Sequence, residues 1–201
     1  MNAINIKNGL ERISHVMAQN ADYLIELDQR NGDGDLGIYM KAGFADVSAA
    51  LNSSNESDLG RLLLLASRTL NESAPSSLGT ILSVGLMGMA KALKGQTETD
   101  ISGLADSMDA GLRLIMEKAG SKPGEKTVLD ALYPGVTALK ESGSFAVAAE
   151  CAAKGSESTR AMRAVHGRAS YYGDNSIGVL DGGSVVGRLI FEALAQKGAE
   201  R

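Results

Sequence analysis

The sequence predicts an all-α fold: eight helices packed as antiparallel, up-and-down neighbours in a single domain over residues 1–201. Apolar residues recur at steps of three, four and seven almost throughout, which is the helical period. No segment alternates β-branched and polar residues as a half-buried strand does. The stretches between periodic segments are short, with no internal repeat and no low-complexity linker, so consecutive helices pack most simply as antiparallel neighbours. With 44% hydrophobic residues, a chain of this length can bury one sizeable core.

Ile6, Leu10, Ile13, Met17, Leu24 and Leu27 form one face of a first helix, and Met40, Phe44, Val47 and Leu51 a second. Leu59, Leu62, Leu63, Ala66 and Leu70 carry a third, opened by Asp58 as N-cap. Ile81, Leu82, Met89 and Leu93 carry a fourth, in which Gly85 and Gly88 permit close helix contact. Asp100 caps a fifth through Leu104, Met108, Leu112 and Ile115. Val128, Leu129, Leu132, Val136 and Leu139 form a sixth, expected to break or bend at Pro134. An Ala-rich seventh runs from Phe145 to about Val165, and Val185, Val186, Leu189, Ile190 and Leu194 close the chain as an eighth.

The net charge of −4 argues against a nucleic-acid footprint or a polybasic membrane patch. No apolar run reaches the roughly 20 residues that span a bilayer, and MNAINIKNGLERI lacks the apolar centre of a signal peptide. Cys151 is the only cysteine, which excludes an intrachain disulfide and a Cys-rich metal site, and a reducing, cytoplasmic setting is expected. Cys151 itself is expected to be a small buried hydrophobe, and His15 a surface residue.

In an up-and-down array, the connections after helices one, three, five and seven share one end. Here they contain NGDGDLG, NESAPSSLGT, GSKPGEKT and HGRASYYGDNSIGVLDGGS, whereas the other end carries the plainer NSSNESD, KGQTETD and ESGS. The Gly-, Ser- and Asp-rich segments therefore converge on one rim. Asp28, Asp33 and Asp35, with glycines between them, suit a hard cation such as Mg²⁺, which takes oxygen ligands in a tight octahedron. The plainer reading of the same segment is an Asp-Gly turn with Asp35 capping the second helix. Counting twelve from Asp28 or Asp33 reaches Tyr39 or Phe44 rather than a closing Glu, so this is not an EF-hand. Ser73, Ser76, Ser77, Gly79 and Thr80 lead into the fourth helix and offer an anion site or a simple Ser/Thr cap. Asp181-Gly182-Gly183-Ser184 stands in the same relation to the eighth. Gly124-Glu125-Lys126-Thr127 is not a P-loop, because Glu125 separates Gly from Lys and no strand precedes it. Lys126 either faces a phosphate or is a solvated lysine, and His166 is read as idle.

Four segments in order, LDQRNGDGDLGIYMKAGF, SLGT, KPGEKTVLDALYPGV and GRASYYGDNSIG, resemble the nucleotide-binding L subunit (DhaL type) of dihydroxyacetone kinases over nearly the full length. The resemblance implies an eight-helix antiparallel barrel with ADP or ATP at one end. It also implies two Mg²⁺ ions held by Asp28, Asp33 and Asp35. Leu36, Gly37, Ile38 and Tyr39, then Ser73, Ala74, Ser76, Ser77 and Thr80, then Asp181 and Gly182, would contact the nucleotide. The implied activity is phosphoryl donation to dihydroxyacetone or a related short ketose held by a separate K subunit, without which this chain would be inactive. ATP, or a phosphocarrier protein recharging bound ADP, would supply the phosphate. The chain departs from the family at Leu36 and Tyr39, where His and Asn are common. It departs also at Ser73-Ala74-Pro75-Ser76, in place of an Ala-Ser-Gly-Pro loop, at Asn175 in place of Arg, and at Gly182 in place of Pro. The metal aspartates match while much of the nucleotide clamp differs, which makes this a divergent member. The same departures would suit a non-catalytic module that binds Mg-nucleotide and signals to a protein partner.

Overall fold

The computed structural model describes residues 1–196. Among them are nine α-helices: α1 (Ala3–Gln19), α2 (Ala21–Asp28), α3 (Leu36–Ser53), α4 (Leu59–Ser73), α5 (Ser77–Ala92), α6 (Ile101–Ala119), α7 (Leu129–Ser142), α8 (Phe145–Ser158) and α9 (Gly182–Ala195). Two short 3-10 segments, Thr159–Ala161 and Arg168–Ser176, lie between α8 and α9. No strand occurs among the described residues, only a lone antiparallel bridge between Asn2 and Glu98.

The first predicted helix is two. At Asn20 the backbone leaves helical geometry (φ −106°, ψ 8°), and both the backbone N–H and the side-chain amide of Asn20 donate to the Val16 carbonyl. A side-chain amide that satisfies the last carbonyls of a turn offers the chain an exit from the helix. The kink accommodates α3: a Cβ on Gly37 would stand 2.1 Å from the Ala21 carbonyl oxygen, so only glycine lets α3 start against α2.

Counting α1 and α2 together, eight helical staves remain. Each packs on the next in sequence, and α9 returns against α1 to close a barrel. Every apolar position assigned to the first, second, third and sixth predicted helices is buried. Met17, Leu24, Met40, Leu62, Leu70, Leu129 and Phe191 are essentially inaccessible. Each such side chain contributes about 1.5–3 kcal/mol by leaving water. Where α5 meets α6, a Cβ on Gly88 would lie 2.7 Å from the Gly111 Cα, so glycines set the helix separation. An apolar cavity of about 410 Å³ lies behind this contact, walled by Leu10, Ile13, Leu82, Met108 and Leu112.

Two predicted boundaries move. Pro134 does not interrupt α7, which runs from Leu129 to Ser142. The Asp130 carbonyl, whose helical partner would be the proline nitrogen, instead faces Gly155 of α8. The predicted seventh helix ends at Ser158 rather than near Val165, because the chain beyond it folds around a buried lysine described below.

The plain end of the barrel is tied together by backbone. Leu59 N–H donates to Gln96 O, Gly95 N–H to the Asp58 carboxylate, Thr99 N–H to Met1 O, and the Lys7 ammonium to Ser54 O. Asp58 and Asp100 cap α4 and α6 as predicted, accepting from Arg61 N–H at 3.0 Å and Gly103 N–H at 2.7 Å. No helix among the described residues is long and apolar enough to cross a membrane.

Candidate functional site

At the opposite end a cavity of about 840 Å³ opens, and all four predicted rim connections line it. Asp33, Asp35 and Leu36 come from the first, next to Asp28 at the end of α2; Ser76, Ser77 and Thr80 from the second; Lys126 from the third, next to Lys118 and Ala119 at the end of α6; and His166, Arg168, Asp181 and Gly182 from the fourth.

Asp28 ends α2, and its Oδ2 accepts the Gly34 N–H at 2.8 Å, folding the turn back on itself. Gly34 takes φ +80°, a left-handed conformation that glycine adopts without cost. One carboxylate oxygen from each of Asp28, Asp33 and Asp35 lies within 4.8 Å of the others. Oxygens on one octahedral Mg²⁺ lie ~3 Å apart when adjacent and ~4.2 Å when opposite, so side-chain shifts on the order of 1 Å would close the set on a cation. The Arg168 guanidinium pairs with Asp33. Burial raises the Asp35 pKa, and the Asp28 charge raises it further, against the pull of Asp35's own amide. Asp35 occupies the cap position of α3 yet accepts no backbone N–H there, so its carboxylate is not used as a helix cap. Three converging acids, one of them disfavoured as an anion, fit a hard divalent cation.

Besides α3, two further helices, α5 and α9, begin at this mouth. Ser76 caps α5 through Gly79 N–H at 3.1 Å, leaving Ser77 and Thr80 exposed beside the helix N-terminus, the part of a helix that favours anions. Asp181 caps α9 through Ser184 N–H at 2.6 Å. Burial pushes the Asp181 pKa up to about 7, although the Ser184 amide and the Lys126 charge oppose the shift, while Asp130 and Asp28 add to it.

Other predicted contact residues stand back from the cavity. Gly37 is buried against Ala21, Ile38 is 56% exposed on the outside, and Tyr39 packs partly against the core. Ser73 is the last residue of α4, and Ala74 is fully buried with Gly43 and Gly79 against its methyl group. Of the predicted contacts in these two segments, Leu36, Ser76, Ser77 and Thr80 reach the cavity, where Pro75 and Leu78 join them. His15 is exposed as expected, whereas Cys151 is only partly buried.

Both readings of Lys126 are corrected: it is neither solvated nor free to face a phosphate. It is 2% exposed, and its Nζ donates to four backbone carbonyls, Thr159, Met162, Ser176 and Val179, at 2.6–3.2 Å. Burial lowers its pKa, and Asp181 and Asp130 partly restore it. His166 is not idle. Its Nε2 meets Glu125 Oε2 at 2.7 Å in the wall of the mouth, and this contact, with Lys122 N–H, holds the Glu125 pKa below the ordinary value. Arg168 was unmarked by the sequence, except that it lies in the quoted GRASYYGDNSIG segment.

The DAK2 domain family matches residues 31–196 of this chain. The chain is 34% identical over 178 residues to the ADP-binding subunit DhaL of PEP-dependent dihydroxyacetone kinase 1 from Listeria innocua, covering 89% of this chain and 88% of that protein. It is 30% identical over 198 residues to the ADP-binding subunit DhaL of the PEP-dependent dihydroxyacetone kinase of Escherichia coli, covering 94% of each. It is also 28% identical to the L-erythrulose 1-kinase of Mycolicibacterium smegmatis, of whose length it spans 35%. In three dimensions it resembles the native dihydroxyacetone kinase of C. freundii (TM-score 0.79, 23% identity) and the same enzyme in complex with AMP-PNP and Mg²⁺ (TM-score 0.78). Both matches cover 97% of this chain and 34% of the solved chain, so this chain spans about a third of that enzyme's length.

Proposed function

From the premise that the chain belongs to the DAK2 domain family, we propose that it is the Mg-nucleotide-binding, phosphoryl-donating subunit of a dihydroxyacetone or related short-chain ketose kinase. The observation that carries this reading is the convergence of Asp28, Asp33 and Asp35 with the N-termini of α5 and α9 around one cavity. Carboxylates there would hold Mg²⁺, and helix N-termini would hold phosphate, which are the two things a polyphosphate donor must be given.

Bound Mg²⁺ supplies neutralisation of phosphate charge. The chain's own residues do the rest: Asp28, Asp33 and Asp35 hold the cation, and Ser76, Ser77 and Thr80 offer hydroxyl and amide donors to the phosphates. Leu36, Asp181 and Gly182 shape the neighbouring wall. Gly37 and Ala74 are buried behind that lining, while Ile38 faces outward, Tyr39 packs partly on the core and Ser73 ends α4. The acceptor hydroxyl of the ketose, held by a separate K-type subunit, attacks the terminal phosphorus, and the bond from that phosphorus to ADP breaks. Positioning and charge, rather than covalent chemistry, are what the protein contributes to such a transfer. Two relatives carry PEP-dependent in their names and are ADP-binding subunits, which favours a phosphocarrier protein recharging ADP in place. Two Mg²⁺ ions are proposed, which Asp28, Asp33 and Asp35 would hold.

Mixing the chain with a K-type subunit, dihydroxyacetone or a four-carbon ketose, and either MgATP or MgADP with a PEP-charged phosphocarrier protein tests the proposal. Phosphorylated ketose is expected. MgADP binding without transfer to any short ketose would instead indicate a regulatory nucleotide-binding module.

A further inference from the structure

We infer that Lys126 is the positioning residue of the mouth: its ammonium is an internal cation around which the connection between α8 and α9 is folded. That connection supplies His166, Arg168 and Asp181 to the cavity wall. Its importance for nucleotide rests on the function proposed above, whereas its role in ordering the connection does not.

All four oxygens around the Lys126 Nζ belong to this one connection: Thr159 at 2.7 Å, Met162 at 3.2 Å, Ser176 at 2.8 Å and Val179 at 2.6 Å. An ammonium has three protons, yet four carbonyls surround it. Rings of backbone carbonyls are how proteins replace the hydration shell of a small monovalent cation, so the cage has the chemistry of a cation site filled by a tethered charge. The backbone is committed to the arrangement as well. Lys126 is the one non-glycine residue with positive φ (+61°) among those described, a conformation that a residue with a long side chain adopts only when its surroundings impose it.

The connection has few other anchors. Thr159, Ala164, Ser176 and Leu180 are its buried residues, while Val165, Tyr171, Tyr172 and Ile177 are exposed. Its remaining ties are polar: Arg168 reaches Asp33 in the aspartate turn, Ala164 N–H donates to Ser176 Oγ within the connection, and others run to Glu125 beside Lys126 or back to Thr159. Val165 N–H donates to the Glu125 carbonyl, His166 meets the Glu125 carboxylate, and Asp181 N–H donates to Thr159 Oγ1. A segment with so little apolar burial belongs to the low-stability part of a fold, and removing its central charge would strand four carbonyl acceptors, two of them in fully buried bonds.

Replacing Lys126 with Ala deletes three carbons and the nitrogen, and n-propylammonium restores those atoms. The readout is amide hydrogen exchange across residues 159–181 in the nucleotide-free chain, followed by MgADP affinity. In Lys126→Ala these amides should exchange at least about tenfold faster while α3–α7 keep their protection. n-Propylammonium should restore protection and MgADP affinity together, and tetramethylammonium, too large for the cage, should not. Lys126→Met, which fills the channel without charge, should loosen the connection and resist rescue. Unchanged exchange in either variant would overturn the inference, as would a loss in Lys126→Ala that n-propylammonium fails to reverse. Variants that remain unfolded even in n-propylammonium would also overturn it, since the lysine would then serve the whole barrel. If the native chain binds no MgADP, the proposed function fails, and the exchange data still decide the role of Lys126.

Discussion

Four helices of this barrel begin with aspartate, and the four do not behave alike. Asp58, Asp100 and Asp181 each accept a backbone N–H from the first turn of their helix, whereas Asp35 accepts none from α3. Asp35 instead faces Asp28, whose charge raises its pKa after burial has done so. In divalent-free buffer, Asp58→Ala should therefore lower the midpoint of a urea titration, since it removes both the cap on Arg61 N–H and the tie to Gly95 N–H. Asp35→Ala should cost nothing or stabilise slightly, by relief of repulsion. Asp181 gives a pH signature. Its pKa is raised from 3.8 to about 7, so folding favours the protonated form. The corresponding stability is complete below the ordinary value and is lost as pH rises through about 7. Asp181→Asn keeps a capping oxygen without the charge, so its melting temperature should rise relative to the native chain between about pH 4 and about pH 7 and level off above. A constant difference across that range would contradict the buried-carboxyl account. The aspartate turn was legible in the sequence because three acids separated by glycines is a local pattern. The Lys126 cage was not, because its acceptors are backbone carbonyls, which leave no trace in side-chain identity.

At the scale of elements, the helix faces were legible because each stave buries one stripe, and a stripe imposes its period on the sequence. The capped starts of α4 and α6 were legible for the same local reason. The break at Asn20 was hidden, since Met17, Leu24 and Leu27 keep the apolar period across it, and only the side-chain bond to Val16 O ends the helix. The end of α8 was hidden in the opposite way. Its alanines continue a helical composition, but the carbonyls beyond Ser158 are claimed by Lys126. Close approach of α5 and α6 at Gly88 and Gly111 carries its own prediction. In Gly88→Ala the added methyl would meet backbone at 2.7–2.8 Å, neither side of which is a flexible side-chain end. The two helices must part, at about 1–3 kcal/mol, measurable by chemical denaturation. No loss would mean that the spacing is looser than the glycines imply.

Across the whole molecule, alternation of direction does the organising. Connections two helices apart in sequence return to the same end, so segments far apart in the chain meet without any long-range signal in the sequence. The mouth at which they meet collects three carboxylates, two helix N-termini and the Lys126-centred connection. That much of the site followed from helix count and loop chemistry. Which residues within each segment face the cavity did not, because facing is set by helical rotation. Leu36 lines the mouth while Ile38, two positions on, points outward. The central claim is that these aspartates gather a divalent cation that anchors a polyphosphate. Calorimetry of MgADP binding to the native chain and to the Asp33→Ala, Asp35→Ala double variant measures it directly. The native chain should bind MgADP and lose it on chelation of the metal. The double variant should retain its helical circular dichroism and bind at least about a hundredfold more weakly. Equal affinity in the two proteins, or native binding indifferent to the chelator, would contradict the account.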